Sequence, residues 1–331
     1  MSQKAAQDLT AYEMNCGAIA RKPKRAVKRV LVLMGGQSAE REVSLASGRA
    51  CAKALRDAGY DVESFDLTDD TLALVQALQY KPDVVFNALH GHWGEDGCIQ
   101  GLLELLRLPY THSGVMASSL AMNKQMAKQI AATVGITSPK GVVVDLGTLR
   151  RGDIMPRPYV VKPVSEGSSV GVQIVKAGDN RPPVWFEDWA FGQKVLVEEY
   201  IPGRELTVAV MGDRPLTVTE ICPKIAFYDY EAKYTDGRAE HILPADIPEV
   251  ITQQAKTAAL AAHRALGCRG VSRSDFRYDE TDGSPGRLVY LETNTQPGMT
   301  ALSLVPEQAA HLGISFPELC SWMVEQARCD S

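Results

Sequence analysis

Apolar and polar positions along this chain switch between two periods, and the switches mark out its elements. RVLVLMGG (Arg29 to Gly36) is an apolar run closed by glycines, which predicts a buried strand. QSAEREVSLASGRACAKALRDAGY spaces its apolar residues as a helix does and stops at Gly59. Strand DVESFDL, helix DTLALVQALQY and strand KPDVVFNALHG follow. Strands alternating with helices imply a parallel sheet with right-handed crossovers, so residues 29 to 122 are expected to form an open α/β domain. Such sheets bind ligands at the carboxyl ends of their strands, where the double glycine and His90 fall.

The pattern changes near residue 123. SSLAMNKQMAKQIAATVGI predicts one helix with Gly135 near its end. PRPYVVKPVSEGSSVGVQIV and KVLVEEYIPGRELTVAVMGD are strand-rich with polar turns, which predicts antiparallel sheet in a central domain over 123–211. The last segment, 212–331, holds an alanine-rich helix opened by Pro248 and stopped at Gly267. It continues with strands GVSRSDFRYDE and GRLVYLETNT around a DGSPG turn, then a final helix, SFPELCSWMVEQA. Residues 1–28 end in the basic run RKPKRAVKR and are expected to be a solvated extension. The expected class is therefore α/β combined with α+β, and no repeat unit suggests a solenoid.

Composition narrows the function. The chain has 331 residues and a formal charge of -5, without a basic stripe, so a nucleic-acid backbone is not the expected partner. The 7 cysteines are dispersed with no CxxC spacing, which predicts reduced thiols and a cytoplasmic location rather than a zinc or disulfide framework. No apolar segment is long enough to cross a bilayer as a helix, so no membrane association is expected.

Chemistry enters with RLVYLETNTQPG. Strand side chains alternate faces, so Glu292 and Asn294 are expected to point one way and Leu291 and Thr293 the other. The hairpin brings Asp275 alongside, at about 4.5–5.5 Å between facing Cβ atoms. Three oxygen ligands on neighbouring strands suit Mg²⁺ bound with phosphate, although a solvated hairpin face is the plain alternative. Arg273 shares the face of Asp275, and a cation among carboxylates calls for an anion or a pair. In VKPVSEGSSVG, Lys162 ends a strand before a glycine–serine loop suited to cradling phosphate. In VLVEEYIPGREL, Glu198, Glu199 and Glu205 follow an apolar strand. GGQSAE argues against a dinucleotide fingerprint, because it lacks the third glycine of GxGxxG and carries the acidic Glu40.

Taken together, GGQSAEREVSLASG, LHGHWGEDG, VVKPVSEGSSVG, VEEYIPGRELTVAV, FYDYEAKY and LETNTQPGMTALSLVP resemble the D-alanine–D-alanine ligase family of the ATP-grasp superfamily. The resemblance runs from about Arg29 to the C-terminal helix. It implies an ATP-grasp fold behind an N-terminal parallel-sheet domain. It also implies ATP, two Mg²⁺ ions for which Mn²⁺ can substitute, two D-alanine molecules and a homodimer. The implied reaction forms D-alanyl phosphate, then D-alanyl-D-alanine for peptidoglycan precursors. By the same resemblance Lys124, Lys162, Ser168 and Ser169 contact the nucleotide phosphates. Glu198, Glu199, Tyr200, Ile201 and Glu205 line the adenine and ribose, and Asp275, Glu292 and Asn294 hold the metals. Glu40 receives the first ammonium, with His90 beside it as base or as positioning group. Arg273 and the Gly298 amide stabilise the oxyanion. Lys233, Ser303 and Leu304 meet the second D-alanine, and Tyr228 closes over the site. Three positions depart from the family pattern: Gln296, where serine is frequent, Ser272 and Trp93. A depsipeptide-forming relative, another carboxylate–amine ligase and a silent nucleotide binder remain as alternatives.

Overall fold

Strand β1 (Arg29–Gly35) lies between β2 (Asp61–Leu67) and β3 (Val84–Asn87) in a three-stranded parallel sheet of the computed structural model. The structure describes residues 29–167, 170–179, 189, 191–223 and 239–330. Both faces of β1 are covered. Val30 and Val32 join a core with Leu55 of α1 (Arg41–Asp57). Leu31 and Leu33 join another with Leu74 of α2 (Thr71–Gln79) and Leu103 of α3 (Cys98–Leu106). Burial on both faces is why this strand reads as a continuous apolar run. The Val30 core extends to Met211, Val271, Leu319 and Met323, so the parallel sheet shares apolar packing with the C-terminal part of the chain.

The helix expected across SSLAMNKQMAKQIAATVGI is two helices, α4 (Val115–Met122) and α5 (Lys124–Thr133). They break at Asn123, whose backbone is extended and whose side chain accepts the Met126 N–H at 3.1 Å. The asparagine caps a new helix instead of continuing the old one. Lys124 therefore opens α5, and its N–H reaches the Val164 carbonyl at 3.0 Å.

Two antiparallel sheets follow. The smaller has the order β4 (Gly141–Asp145), β7 (Lys194–Glu199), β5 (Tyr159–Pro163), β6 (Gln173–Val175), with a short helix, α6 (Leu146–Leu149), after β4. The larger has the order β10 (Ala239–Ile242), β9 (Arg214–Pro223), β8 (Arg204–Met211), β11 (Val271–Asp279), β12 (Arg287–Asn294). Strand β8, grouped by sequence with the central segment, hydrogen-bonds in this larger sheet between β9 and β11. Helix α7 (Glu249–Ala265) lays Ile251, Ala255, Ala259 and Ala262, one helical stripe, against Leu206, Val208, Phe276 and Tyr290. On the opposite face Ala209, Met211 and Val271 join the Val30 core, and Glu205, Arg273 and Asp275 turn toward the site. Helices α8 (Leu304–His311) and α9 (Phe316–Glu325) complete the described chain. No described helix is long and apolar enough to cross a membrane.

Candidate active site

The β11–β12 register pairs Asp275 with Glu292 and Arg273 with Asn294. The three expected metal ligands therefore meet at one end of the hairpin, and Asn294 Nδ2 lies 3.2 Å from Asp275 Oδ2. Beyond Asp275 the register slips, leaving Leu291 without a facing residue. This β-bulge breaks the two-residue alternation. Leu291 consequently lines the same cavity as Glu292, where strict alternation had put it on the other face.

That cavity, of about 470 Å³, lies between the two antiparallel sheets. Val160, Lys162, Ile174 and Glu198 come from the smaller sheet, and Glu205, Ile221, Asp275 and Glu292 from the larger. Glu199, Tyr200 and Ile201 form its edge, where the chain crosses from β7 to β8. Its size and its mix of apolar walls with a few charged groups are those of a small-molecule pocket.

Charge in the cavity is tightly organised. Glu198 is 2% exposed and accepts from both Lys128 and Lys162. Burial raises the Glu198 pKa, but the two lysines outweigh it and the net shift is down. Burial likewise opposes charge on Lys162, yet Glu198 and Glu292 hold its pKa above the usual lysine value. Lys128 goes the other way: burial and then the Lys162 charge bring its pKa down to about 7. Lys124 donates to the Glu166 carbonyl and lies 3.2 Å from Glu292 Oε2. Glu205 faces Arg277, with 3.6 Å between Oε2 and Nη1.

The carboxylate–amide cluster fits a hard cation. Asp275 and Glu292 face the cavity that also carries Lys124 and Lys162, Asn294 joins them where a smaller pocket begins, and Mg²⁺ takes such oxygen ligands together with phosphate. Asp275 is already placed to hold positive charge: it accepts from Arg273 twice and from Thr207 Oγ1 at 2.6 Å.

A second, smaller pocket adjoins the first and shares Glu205, Ile221, Asp275 and Glu292 with it. Glu40, His90, Arg273, Gly298, Ser303 and Leu304 all line it. Glu40 immediately precedes α1 and is buried. Its carboxylate sits so close to the Gly91 and Gly167 backbones that a Cβ there would fall 2.9 and 3.0 Å from Oε2. His90 Nε2 lies 3.3 Å from Ser47 Oγ, and burial lowers the His90 pKa although Glu40 opposes this. Ser303 stands at the N-terminal boundary of α8 with its side chain turned back from the helix, its Oγ accepting the Thr300 N–H at 2.9 Å. Of the remaining expected residues, Ser168, Ser169, Tyr228 and Lys233 lie outside the described residues.

Two site residues escape a reading of the sequence. Lys128 stands four positions after Lys124 on one helix face, and that spacing was its only signal. Glu95 lies within LHGHWGEDG and accepts the Gly91 N–H at 3.1 Å. It lines the second pocket with Glu40, and burial and the Glu40 charge push its pKa well up. Of the three departures, Ser272 is buried against His263, with 2.7 Å between Oγ and Nδ1. Trp93 takes a left-handed backbone, φ 66°, at an exposed turn.

Two sheets closed over a nucleotide-sized cavity, with a small polar pocket beyond the metal-type cluster, are the arrangement of an ATP-grasp ligase. Comparison with known proteins gives the finer answer. Residues 153–325 match the family model of the D-ala D-ala ligase C-terminus, and residues 70–113 match that of the N-terminus. The D-alanine–D-alanine ligase of Acidiphilium cryptum is 58% identical over 304 residues, covering 92% of this chain and 99% of that protein. That of Paramagnetospirillum magneticum is 59% identical over 306 residues, with 92% and 99% covered. The crystal structure of the Bacillus anthracis D-alanine–D-alanine ligase is 31% identical, with a TM-score of 0.76 over 90% of this chain and 97% of that one. Its complex with ATP gives 0.74 at 30% identity, covering 91% and 96%. The chain belongs to the D-alanine–D-alanine ligase family.

Proposed function

We infer that this chain joins two D-alanine molecules to D-alanyl-D-alanine at the expense of ATP, the ligation that supplies peptidoglycan precursors. The observation that carries this reading is the meeting of the two pockets at Asp275 and Glu292. A nucleotide in the larger one would direct its terminal phosphate toward an amino acid held in the smaller one. Lys124 and Lys162 offset the phosphate charge, and Glu198 with the Glu199–Ile201 edge receives the adenine. Ser168 and Ser169 cover the phosphates, and Glu205 stands near the ribose.

The first D-alanine places its ammonium against Glu40, and its carboxylate attacks the terminal phosphorus. D-alanyl phosphate forms and ADP leaves. The amine of the second D-alanine then loses a proton and attacks the acyl carbon. Arg273 and the Gly298 N–H hold the oxyanion, and phosphate departs with the broken C–O bond. The second carboxylate lies against Ser303 and the N-terminus of α8 at Leu304, with Lys233 beside it. Tyr228 closes the site. His90, neutral at physiological pH and turned toward Ser47, positions the Glu40 wall. Asp275, Glu292 and Asn294 would hold two Mg²⁺ ions, or Mn²⁺ in their place, which neutralise phosphate charge. The enzyme acts as a cytoplasmic homodimer, with domains over 29–122, 123–211 and 212–331 after the 1–28 extension, the second lending strand β8 to the sheet of the third.

The test combines purified full-length chain, ATP, Mg²⁺ and D-alanine, with products resolved by mass. D-alanyl-D-alanine and ADP in equal amounts are expected. ADP without dipeptide, or preferential D-alanyl-D-lactate when D-lactate is added, would overturn the reading. Sedimentation of the same sample tests the dimer.

A further inference from the structure

Gln296 belongs to the turn after β12, yet its side chain works in the first domain. Its Oε1 accepts from Asn87 Nδ2 at 2.7 Å, and its Nε2 donates to the Leu89 carbonyl. Both amides are shut away from solvent, Gln296 at 2% exposure and Asn87 at 0%. Asn87 Nδ2 also donates to the Gly94 carbonyl at 2.9 Å, and Asn87 Oδ1 accepts the Leu89 N–H at 3.2 Å. Gln100 donates to the same Gly94 carbonyl at 2.9 Å. The segment from Leu89 to Gly94 is thus clamped at both ends.

This segment builds the wall for the first substrate. The His90 carbonyl accepts from Ser38 Oγ at 2.7 Å, and Gly91 packs on the Glu40 carboxylate. On its other side, Gln296 leads directly into Pro297 and Gly298, which line the same pocket. One buried amide therefore spans the two walls that must keep register during the reaction. A second tie runs in parallel: Ser47 Oγ contacts His90 and accepts the Met299 N–H at 3.2 Å.

We propose that Gln296 and Asn87 are positioning residues, which hold the Glu40 wall in register with the oxyanion donors Gly298 and Arg273. The proposal rests on the ligase reading above. An acyl phosphate waits for the second amine, and it hydrolyses if the two walls drift apart. Small displacements of reacting groups are costly to rate, because the bound geometry supplies much of the catalysis. The clasp lies away from the residues that line the nucleotide cavity, so its loss leaves nucleotide binding in place.

The experiment compares the wild-type chain with Gln296→Met, which keeps length and volume but loses both hydrogen bonds, and with Asn87→Ala. Phosphate release and dipeptide formation are measured in the same reaction, alongside ADP affinity and thermal midpoint. The expected result is phosphate in excess over dipeptide, a KM for D-alanine raised about tenfold, and ADP affinity within about twofold of wild type. If Gln296→Met does not fold, Gln296→Asn, one methylene shorter, must show the same leak. One phosphate per dipeptide with an unchanged KM in a folded variant overturns the proposal. So does a parallel loss of ADP affinity, which marks general loosening. A wild-type chain that makes no dipeptide overturns the ligase reading itself, and that is seen before any variant is read.

Discussion

Arg273 forks onto the carboxylate of Asp275, its Nε 2.9 Å from Oδ1 and its Nη2 2.8 Å from Oδ2. The pair lies within one strand at alternate positions, so both side chains project toward the pockets from the same face. A bidentate contact fixes the plane of the guanidinium, and with it the direction of the remaining N–H groups.

Arg273→Ala should therefore lower kcat by about 10²–10³-fold, the range for removing one preorganised oxyanion donor. Nucleotide affinity should change little, because Arg273 lines the smaller pocket and not the larger one. Arg273→Lys should recover little of the loss, since an ammonium cannot form the fork. Steady-state kinetics with ADP calorimetry check this. Near-normal turnover in Arg273→Ala would remove the residue from the oxyanion site.

The hairpin cluster gives a second prediction. Glu292→Gln and Asn294→Ala should each cut turnover strongly while nucleotide still binds, with activity shifted to higher Mg²⁺. Glu292 also pairs with Lys124, so its amide variant should show the larger effect. A Mg²⁺ titration identical to wild type in either variant would separate that residue from metal binding.

The sequence reads well where one element decides the answer. Strand β1 is apolar on both faces because it is covered on both, and α7 is legible from a single alanine-rich stripe. The pairing of Asp275 with Glu292 follows from a short hairpin. Features that depend on distant neighbours were not readable. Lys128 joins the site only because Asn123 restarts the helix and because β5 and β7 bring Lys162 and Glu198 to it. Leu291 enters the cavity through a bulge that alternation cannot foresee. Gln296 stood out as a departure, but its partner Asn87 lies 209 positions away.

Stability should fall in mild acid. His263 and His112 are buried, and burial lowers their pKa values to about 4 and about 3 from the ordinary 6.5. A folded pKa below the unfolded one means that the unfolded chain takes up the proton first. The contribution is present above 6.5 and is lost as pH falls from there toward the folded values. Each group adds a slope of up to about 1.4 kcal/mol per pH unit. Urea unfolding at several pH values between about 7 and 5 should show this decline, shallower in His263→Gln. A flat profile would mean that the two histidines take up protons in the fold as readily as in the unfolded chain.

Nucleotide binding should carry the signature of Lys128. With its pKa brought down to about 7, this lysine is partly neutral in the free enzyme near neutrality. Nucleotide phosphates bring negative charge into the cavity lined by Lys162 and Glu198, the neighbours of Lys128, which raises the pKa of a nearby lysine. Binding is then linked to proton uptake, so ADP affinity should fall as pH rises from about 7 to 9, by at most about tenfold per unit. Lys162 does not compete in this window, because its pKa lies above the usual lysine value. Lys128→Met removes the titrating group and leaves Glu198 with Lys162 as its lysine partner. That variant should bind ADP about tenfold more weakly at pH 7, and its affinity should vary little up to pH 9. Calorimetry in two buffers of different ionisation enthalpy would detect the proton uptake directly in the wild type. Equal pH slopes in the two proteins would show that Lys128 stays charged throughout and only packs against Glu198.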